Sequence, residues 1–302
     1  MPVIGSLLRL KGERMIGQTD LLEKIKSEID DGLFPHFSIF IGPKGSGKNL
    51  LMRQIAEYLE GYQVHELPDV SIDTIRDMIS EATSKANSGA KIVYIIKDSE
   101  QMSIAAKNSI LKITEEPPKG AYILMSVVNE ANLLDTIKNR AALYRMRPYS
   151  EADKLAYLDV IGASLDAQDE ALVLKTANTL SDVETLVKLN PGKLKACVRD
   201  FISDIVHDAS TSILLNRSKD VAFKEDADGY PLELFMRMCC EELAERTFEI
   251  DDRKKALMYS RLISKTVEMM GELRYNSVSK EHTFDMWILD CRKIVRKWKS
   301  EN

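Results

Sequence analysis

The sequence predicts an α/β fold followed by a helical half: a parallel-sheet domain of the phosphate-loop kind first, then helices only. Three observations carry this expectation. Apolar runs at 37–41, 92–96 and 122–128 show almost no alternation with polar residues, which suits strands buried on both faces of a parallel sheet. Helical spacing separates these runs, and strands alternating with helices imply a three-layer α/β domain. Past Pro148 only the helical period is visible.

Taken in order, Ile16, Leu21, Leu22, Ile25 and Ile29 recur at helical spacing over 15–33, with Gln18-Thr19-Asp20 as the start and Gly32 as the stop. Phe37-Ser38-Ile39-Phe40-Ile41 reads as a buried strand, then a Gly-rich turn, then an amphipathic helix from Asn49 to about Leu59. A helix over 71–86 runs through Ile72, Ile75, Met78 and Ile79, and Ala90-Lys91 leads into the strand at 92–96. The helix over 105–115 stops at Pro117-Pro118, because proline lacks the N–H and crowds the preceding turn, and the strand at 122–128 follows. Breaks in the helical half fall near 162–166, 190–192 and 224–231. The expected domains are 1–148, 149–205 and 206–302.

Composition narrows the function classes. A chain of 302 residues is long enough for about two domains, or three if one is small. With 44% apolar and 29% charged residues disorder is not expected, and runs such as 92–96 are far too short to span a bilayer. A soluble protein with no membrane partner is expected. The stretch Met1 to Arg9 lacks the basic region followed by an apolar stretch and cleavage site of a secretory signal, so the expected location is cytoplasmic. A net charge of -5 excludes a uniformly basic nucleic-acid binder and leaves room for a local basic stripe. Cys197, Cys239, Cys240 and Cys291 show no paired CxxC spacing, so they read as reduced packing residues and no zinc is expected.

The chemistry sits in Gly42-Pro43-Lys44-Gly45-Ser46-Gly47-Lys48-Asn49, which fits G-x-x-x-x-G-K between an apolar strand and an amphipathic helix. Glycines let backbone N–H groups converge on phosphate oxygens, the helix N-terminus adds positive potential, and the lysine neutralises the outer phosphates. Asn49 stands where a Ser or Thr hydroxyl, a short hard ligand for Mg2+, is expected. Asn offers a carbonyl oxygen on a longer planar side chain, so nucleotide binding can survive while the metal is held weakly. The strand at 92–96 should end in adjacent acids, one for Mg2+ and one to polarise water, but continues Lys97-Asp98-Ser99-Glu100. Asp98 or Glu100 either approaches the metal or belongs to a solvated acidic turn.

These residues resemble the bacterial clamp-loader AAA+ subunits, of the delta-prime and gamma/tau type of DNA polymerase III. The matching stretches are Met15-Ile16-Gly17-Gln18, His36 to Pro43 with Gly45-Ser46-Gly47-Lys48, and Lys91 to Ile96. The most specific is Asn108-Ser109-Ile110-Leu111-Lys112-Ile113-Thr114-Glu115-Glu116-Pro117-Pro118, which is similar to that family's N-x-L-L-K-x-L-E-E-P-P signature. The likeness is strong over 15–150, weaker at Asn190-Pro191-Gly192, and architectural beyond Ile205. It implies a P-loop AAA+ domain, a small helical lid, and a helical collar through which five subunits assemble. Helices over 257–273 and 284–298 have a suitable length for that collar, and equally for an ordinary bundle with Met269, Met270, Trp287 and Ile288 as core. The basic run 292–299 reads either as a DNA or partner contact or as a solvated helix face.

Departures from the family pattern shape the functional expectation. The four zinc cysteines usual after the phosphate loop are missing. The family's Ser-Arg-Cys appears as Asn139-Arg140-Ala141, so the resemblance leaves Arg140 as the arginine that reaches a neighbour's ATP, with local pairing to Asp135 as the alternative. Val127 and Val128 occupy the place of a polar sensor, and Lys195 lies near that of the lid's sensor arginine. ATP or ADP is the expected ligand. The expected partners are other clamp-loader subunits, the sliding clamp and primer-template DNA. A delta-prime-like, non-motor subunit is the first expectation; a gamma-like motor ATPase using Asp98 or Glu100, and an AAA+ regulator outside replication, are the alternatives.

Overall fold

The computed structural model describes residues 15–87, 89–223, 229–273 and 279–301. The reading of residues 1–9 as lacking a secretory signal, and most of the break expected over 224–231, lie outside them. The elements run α1 Thr19–Asp30, β1 Phe37–Ile41, α2 Lys48–Tyr58, β2 Gln63–Glu66, α3 Ile72–Asn87, β3 Ile92–Ile96, α4 Ile104–Glu115, β4 Ala121–Val127, α5 Asp135–Lys138 and β5 Ala142–Arg145. Then follow α6 Glu151–Val160, α7 Ala167–Thr176, α8 Leu180–Leu189, α9 Pro191–Val206, α10 Thr211–Asn216, β6 Val221–Ala222, β7 Tyr230–Pro231, α11 Leu232–Phe248, α12 Arg253–Glu272 and α13 Lys280–Ser300.

Contacts group the chain into two compact units. One runs to Gly162 and takes in Asn178–Ser181; the other comprises Ala163–Ala177 and the chain from Asp182 onward. In the first, five parallel strands lie in the order β2-β3-β4-β1-β5, with Phe37 beside Ile123 and Ile92 beside Ala121. Alternate side chains of each strand feed two cores, one on each face of the sheet. Ile39, Ile92, Tyr94 and Ile96 pack with Ile75 and Met78 of α3 and Ala106 and Ile110 of α4. On the other face, Phe40, Val93 and Ile95 pack with Ile25 of α1 and Leu51, Met52 and Ile55 of α2. This double burial is why the strands read as unbroken apolar runs.

Local chemistry explains most boundaries. The left-handed Gly32, at φ 67°, follows α1, and Leu33 N–H returns to the Glu28 carbonyl at 2.8 Å. Ser103 caps α4 through the Ala106 N–H, and Ser150 with Asp153 forms a capping box on α6. Strands β2 and β5 went unpredicted because they are four-residue edge strands, and β2 carries Gln63, His65 and Glu66. The helix-only reading past Pro148 also needs correction: β6 and β7 form a two-residue parallel pair.

In the second unit α9, α11, α12 and α13 surround an aromatic cluster of Phe201, Phe235, Phe284 and Trp287. The indole N–H of Trp287 donates to Thr266 Oγ1 at 3.0 Å, so its one polar atom is satisfied inside the core. Trp287 and Ile288 are therefore core residues, and Met269 is buried with them. The basic run is largely spoken for within the chain. Arg292 and Arg296 both hold Asp208, Lys293 pairs with Asp290, and Lys297 lies 3.9 Å from Glu301. All four cysteines lie on helices of this unit, Cys239 and Cys291 buried, and burial pushes both thiols up. Among the described residues no helix is long and apolar enough to cross a membrane.

Candidate nucleotide site

The loop between β1 and α2 is built as a cradle by its glycines. Gly45 and Gly47 have φ of 78° and 83°, in the left-handed region where a side chain is disfavoured. A Cβ at Gly45 would come within 2.5 Å of Ser181 Cβ, and one at Gly42 within 2.9 Å of Met146 and of Ser46 Oγ. The cradle therefore needs these glycines for its space as well as its turn. Lys48 is only 6% exposed, and its ammonium donates to the carbonyls of Gly42 at 2.6 Å and Pro43 at 2.8 Å. An ammonium has three donors, so it can hold both carbonyls and a phosphate oxygen together. Burial lowers its pKa, and the nearby carboxylates of Glu100 and Asp98 oppose that shift. Ser46 Oγ is buried with no hydrogen-bond partner among the described residues. Pro43 and Lys44 lie exposed on the rim. Turn geometry, a caged lysine and an unpaired buried hydroxyl together fit a phosphate group.

The stretch Met15-Ile16-Gly17-Gln18 supports this loop from the side. Gln18, 1% exposed, donates its side-chain N–H to the Arg147 carbonyl at 2.8 Å and accepts the Arg147 N–H at 3.1 Å. The Tyr149 ring fills the space where Gly17 would carry a Cβ, and its hydroxyl donates to the Ser46 carbonyl at 2.9 Å. Burial pushes the Tyr149 phenol up, so it stays a neutral donor to the loop.

At the end of β3 the chemistry is different. The Lys97 ammonium pairs with Glu66, whose carboxylate also takes the Arg53 guanidinium, with Nη2 to Oε2 at 2.9 Å. The Arg53 and Lys97 bonds hold the Glu66 carboxyl down at about 2. This triad ties α2, β2 and β3 together where an acidic metal ligand was expected. Asp98 adopts a left-handed φ of 49°, and its N–H donates to Ser126 Oγ at 3.1 Å. Ser126 Oγ in turn donates to Asn49 Oδ1 at 3.3 Å, while its carbonyl accepts from Ser99 Oγ at 2.7 Å. Glu100 accepts the Val128 N–H at 3.3 Å.

The donor set is a weak one for Mg2+, which is usually held by one or two protein oxygens together with phosphate oxygens and water. The Asn49 carbonyl is engaged by Ser126, and Lys97 occupies the first acidic position. Sequence reasoning missed Arg53, Glu66 and Ser126. Only Ser126 left a signal, as the lone hydroxyl in the run 121–127 apart from the phenol of Tyr122. A roughly 760 Å3 cleft opens beyond β2 and β3, lined among others by Glu66, Asp69, Lys97 and Asp98.

In the first unit, Arg140 makes its hydrogen bonds outside this cluster. Arg140, with 32% of its side chain exposed, pairs with Glu115 of the proline-ended signature and donates to the Thr136 carbonyl at 2.7 Å. The expected alternative partner was Asp135, which instead holds Lys138 at 2.6 Å. Lys195 lies on α9, in the second unit, half-buried.

Comparison with known proteins agrees with the motifs. Residues 62–150 match the family model described as "DNA polymerase III, delta subunit". The chain is 25% identical over 196 residues to the DNA polymerase III subunit delta' of Haemophilus influenzae, covering 55% of this chain and 59% of that one. It is 23% identical over 266 residues to subunit tau of Bacillus subtilis, covering 70% and 47%. With a replication factor C small subunit of Methanoregula boonei it shares 25% over 171 residues, covering 51% and 53%. The chain spans about half the length of the curated relatives it matches. Among solved structures, a DNA replication initiation factor superposes with a TM-score of 0.52 at 14% identity, covering 95% and 97%. A point mutant of Thermotoga maritima RuvB superposes with a TM-score of 0.50 at 14% identity, covering 91% and 89%. The structural likenesses establish the fold. The sequence likenesses bear out the resemblance to clamp-loader AAA+ subunits.

Proposed function

We propose that the chain is a non-motor, delta-prime-like subunit of a DNA-replication clamp loader, with a phosphate loop that binds ATP or ADP and little capacity to hydrolyse ATP alone. The single observation that carries this reading is the replacement of the metal-holding acid by Lys97, locked in a triad with Glu66 and Arg53. Phosphoryl transfer depends on a metal ion spreading charge between the phosphates and on a group aligning water. A cation fixed at the strand end opposes the first requirement.

In this reading Arg140 acts on the ATP of an adjoining subunit. A guanidinium is permanently charged and can fork onto phosphate. Its bond to Glu115 is partly exposed, and exposed ion pairs are worth about 0–1 kcal/mol, so handing it to a phosphate costs little. We further propose Lys195 as the lid's phosphate sensor, Asp98 as the remaining acid of the site, and a division into a P-loop domain (1–148), lid (149–205) and collar (206–302). The proposed partners are sister subunits, a sliding clamp and primer-template DNA, in the cytoplasm.

A motor role is the second reading. It is favoured by Asp98 and Glu100, which lie close enough to Lys48 to stabilise its charge. The test is reconstitution with the sister subunits of the same genome. Arg140→Ala should assemble normally and lower DNA-stimulated ATP turnover by about 10³-fold or more at the adjoining site. A mutant complex that assembles and turns over at the wild-type rate would refute the trans role.

A further inference from the structure

The side chain of Asn49 meets Ser126 through its amide oxygen. Buried Ser126 Oγ accepts the Asp98 N–H, so its own hydrogen is free to donate, and it donates to Asn49 Oδ1. With the amide oxygen held by Ser126, the opposite edge of Asn49 presents its NH2 group, a donor of two hydrogens with no lone pair for a cation. This residue is the second of α2, directly after Lys48 and two past the capping Gly47. A Ser or Thr hydroxyl here would offer an oxygen to Mg2+.

Resting on the reading that the loop holds phosphate, we propose that it binds a nucleoside diphosphate without any divalent cation, Asn49 donating directly to a phosphate oxygen where a hydroxyl would hold the metal. Lys48, the first turn of α2 and the buried Ser46 hydroxyl supply the remaining polar contacts. The diphosphate is preferred because Asp98 lies two hydrogen bonds from Asn49 through Ser126, and its charge and that of Glu100 already act on Lys48. A third phosphate with no metal to neutralise it would bring more negative charge against those carboxylates.

The full-length chain tests this by calorimetric titration with ADP and with ATP, in excess magnesium and again in EDTA. The ADP dissociation constant should agree within about threefold between the two conditions, and ADP should bind more tightly than ATP in EDTA. Asn49→Asp keeps the shape and replaces the donor edge by an acceptor, so affinity in EDTA should fall about tenfold or more. A tenfold loss of wild-type affinity in EDTA would overturn the proposal, and so would wild-type affinity for Asn49→Asp. The wild-type titration needs no variant to fold. Absence of ADP binding under both conditions would also overturn it, while leaving the trans-acting arginine, measured in the assembled complex, standing on its own result.

Discussion

The ends of β1 and β3 are joined through Ser126, yet they are made of different material. At β1 the working parts are backbone: a turn of glycines, the first N–H groups of α2, and one lysine tied to the carbonyls of Gly42 and Pro43. At β3 the working parts would be side chains, and there Lys97 is paired with Glu66, which also holds Arg53. A backbone cradle depends on φ angles and close packing, so it survives as long as the glycines and the neighbouring Met146 and Tyr149 survive. A metal site depends on a few oxygen atoms, and in the proposed reading one lysine in place of an acid weakens it. In the proposed reading, one sheet keeps phosphate recognition at β1 while the hydrolytic chemistry at β3 has gone.

The largest expected effect lies at the β1 end. Lys48→Ala should weaken nucleotide binding by about tenfold to a hundredfold, the range for losing a bond to a charged group. Equilibrium dialysis with labelled ADP measures it. Unchanged affinity would move the site away from the loop and dissolve the comparison.

A smaller effect is expected at the β3 end, where the triad is structural. Glu66→Gln should lower the stability of the sheet unit at neutral pH by about 1 kcal/mol, since the pair is partly exposed, and leave Lys97 and Arg53 facing each other. The Glu66 carboxyl is held at about 2, below its ordinary 4.5. Its contribution is therefore complete above about 4.5 and fades as pH falls toward 2. Thermal melts of wild type and Glu66→Gln should differ at pH 7 and converge toward pH 2. A gap that persists at low pH would mean that packing, not charge, holds the triad.

The same contrast explains what could be read without coordinates. The loop was legible because glycines and a lysine at fixed spacing, between an apolar run and an amphipathic helix, leave few other structures open. The three central strands were legible because burial on both faces makes them uniformly apolar. Edge strands β2 and β5 were not, since half-exposed four-residue segments look like loop. The absence of an acidic pair was visible at Lys97, but its partners lie 31 and 44 residues away in sequence, and no local pattern joins Arg53, Glu66 and Lys97. Glu115 as the partner of Arg140 was hidden for the same reason: 25 residues separate them, whereas Asp135 was close by.

Steady-state ATP hydrolysis by the isolated chain, run beside a binding titration on the same sample, tests the separation of the two strand ends most directly. Saturable nucleotide binding is expected together with turnover far below the usual enzyme range of about 1 to 1,000 per second, with magnesium or without it. Turnover within that range, abolished by Lys48→Ala, would show that the β3 end still supports catalysis and would contradict the account.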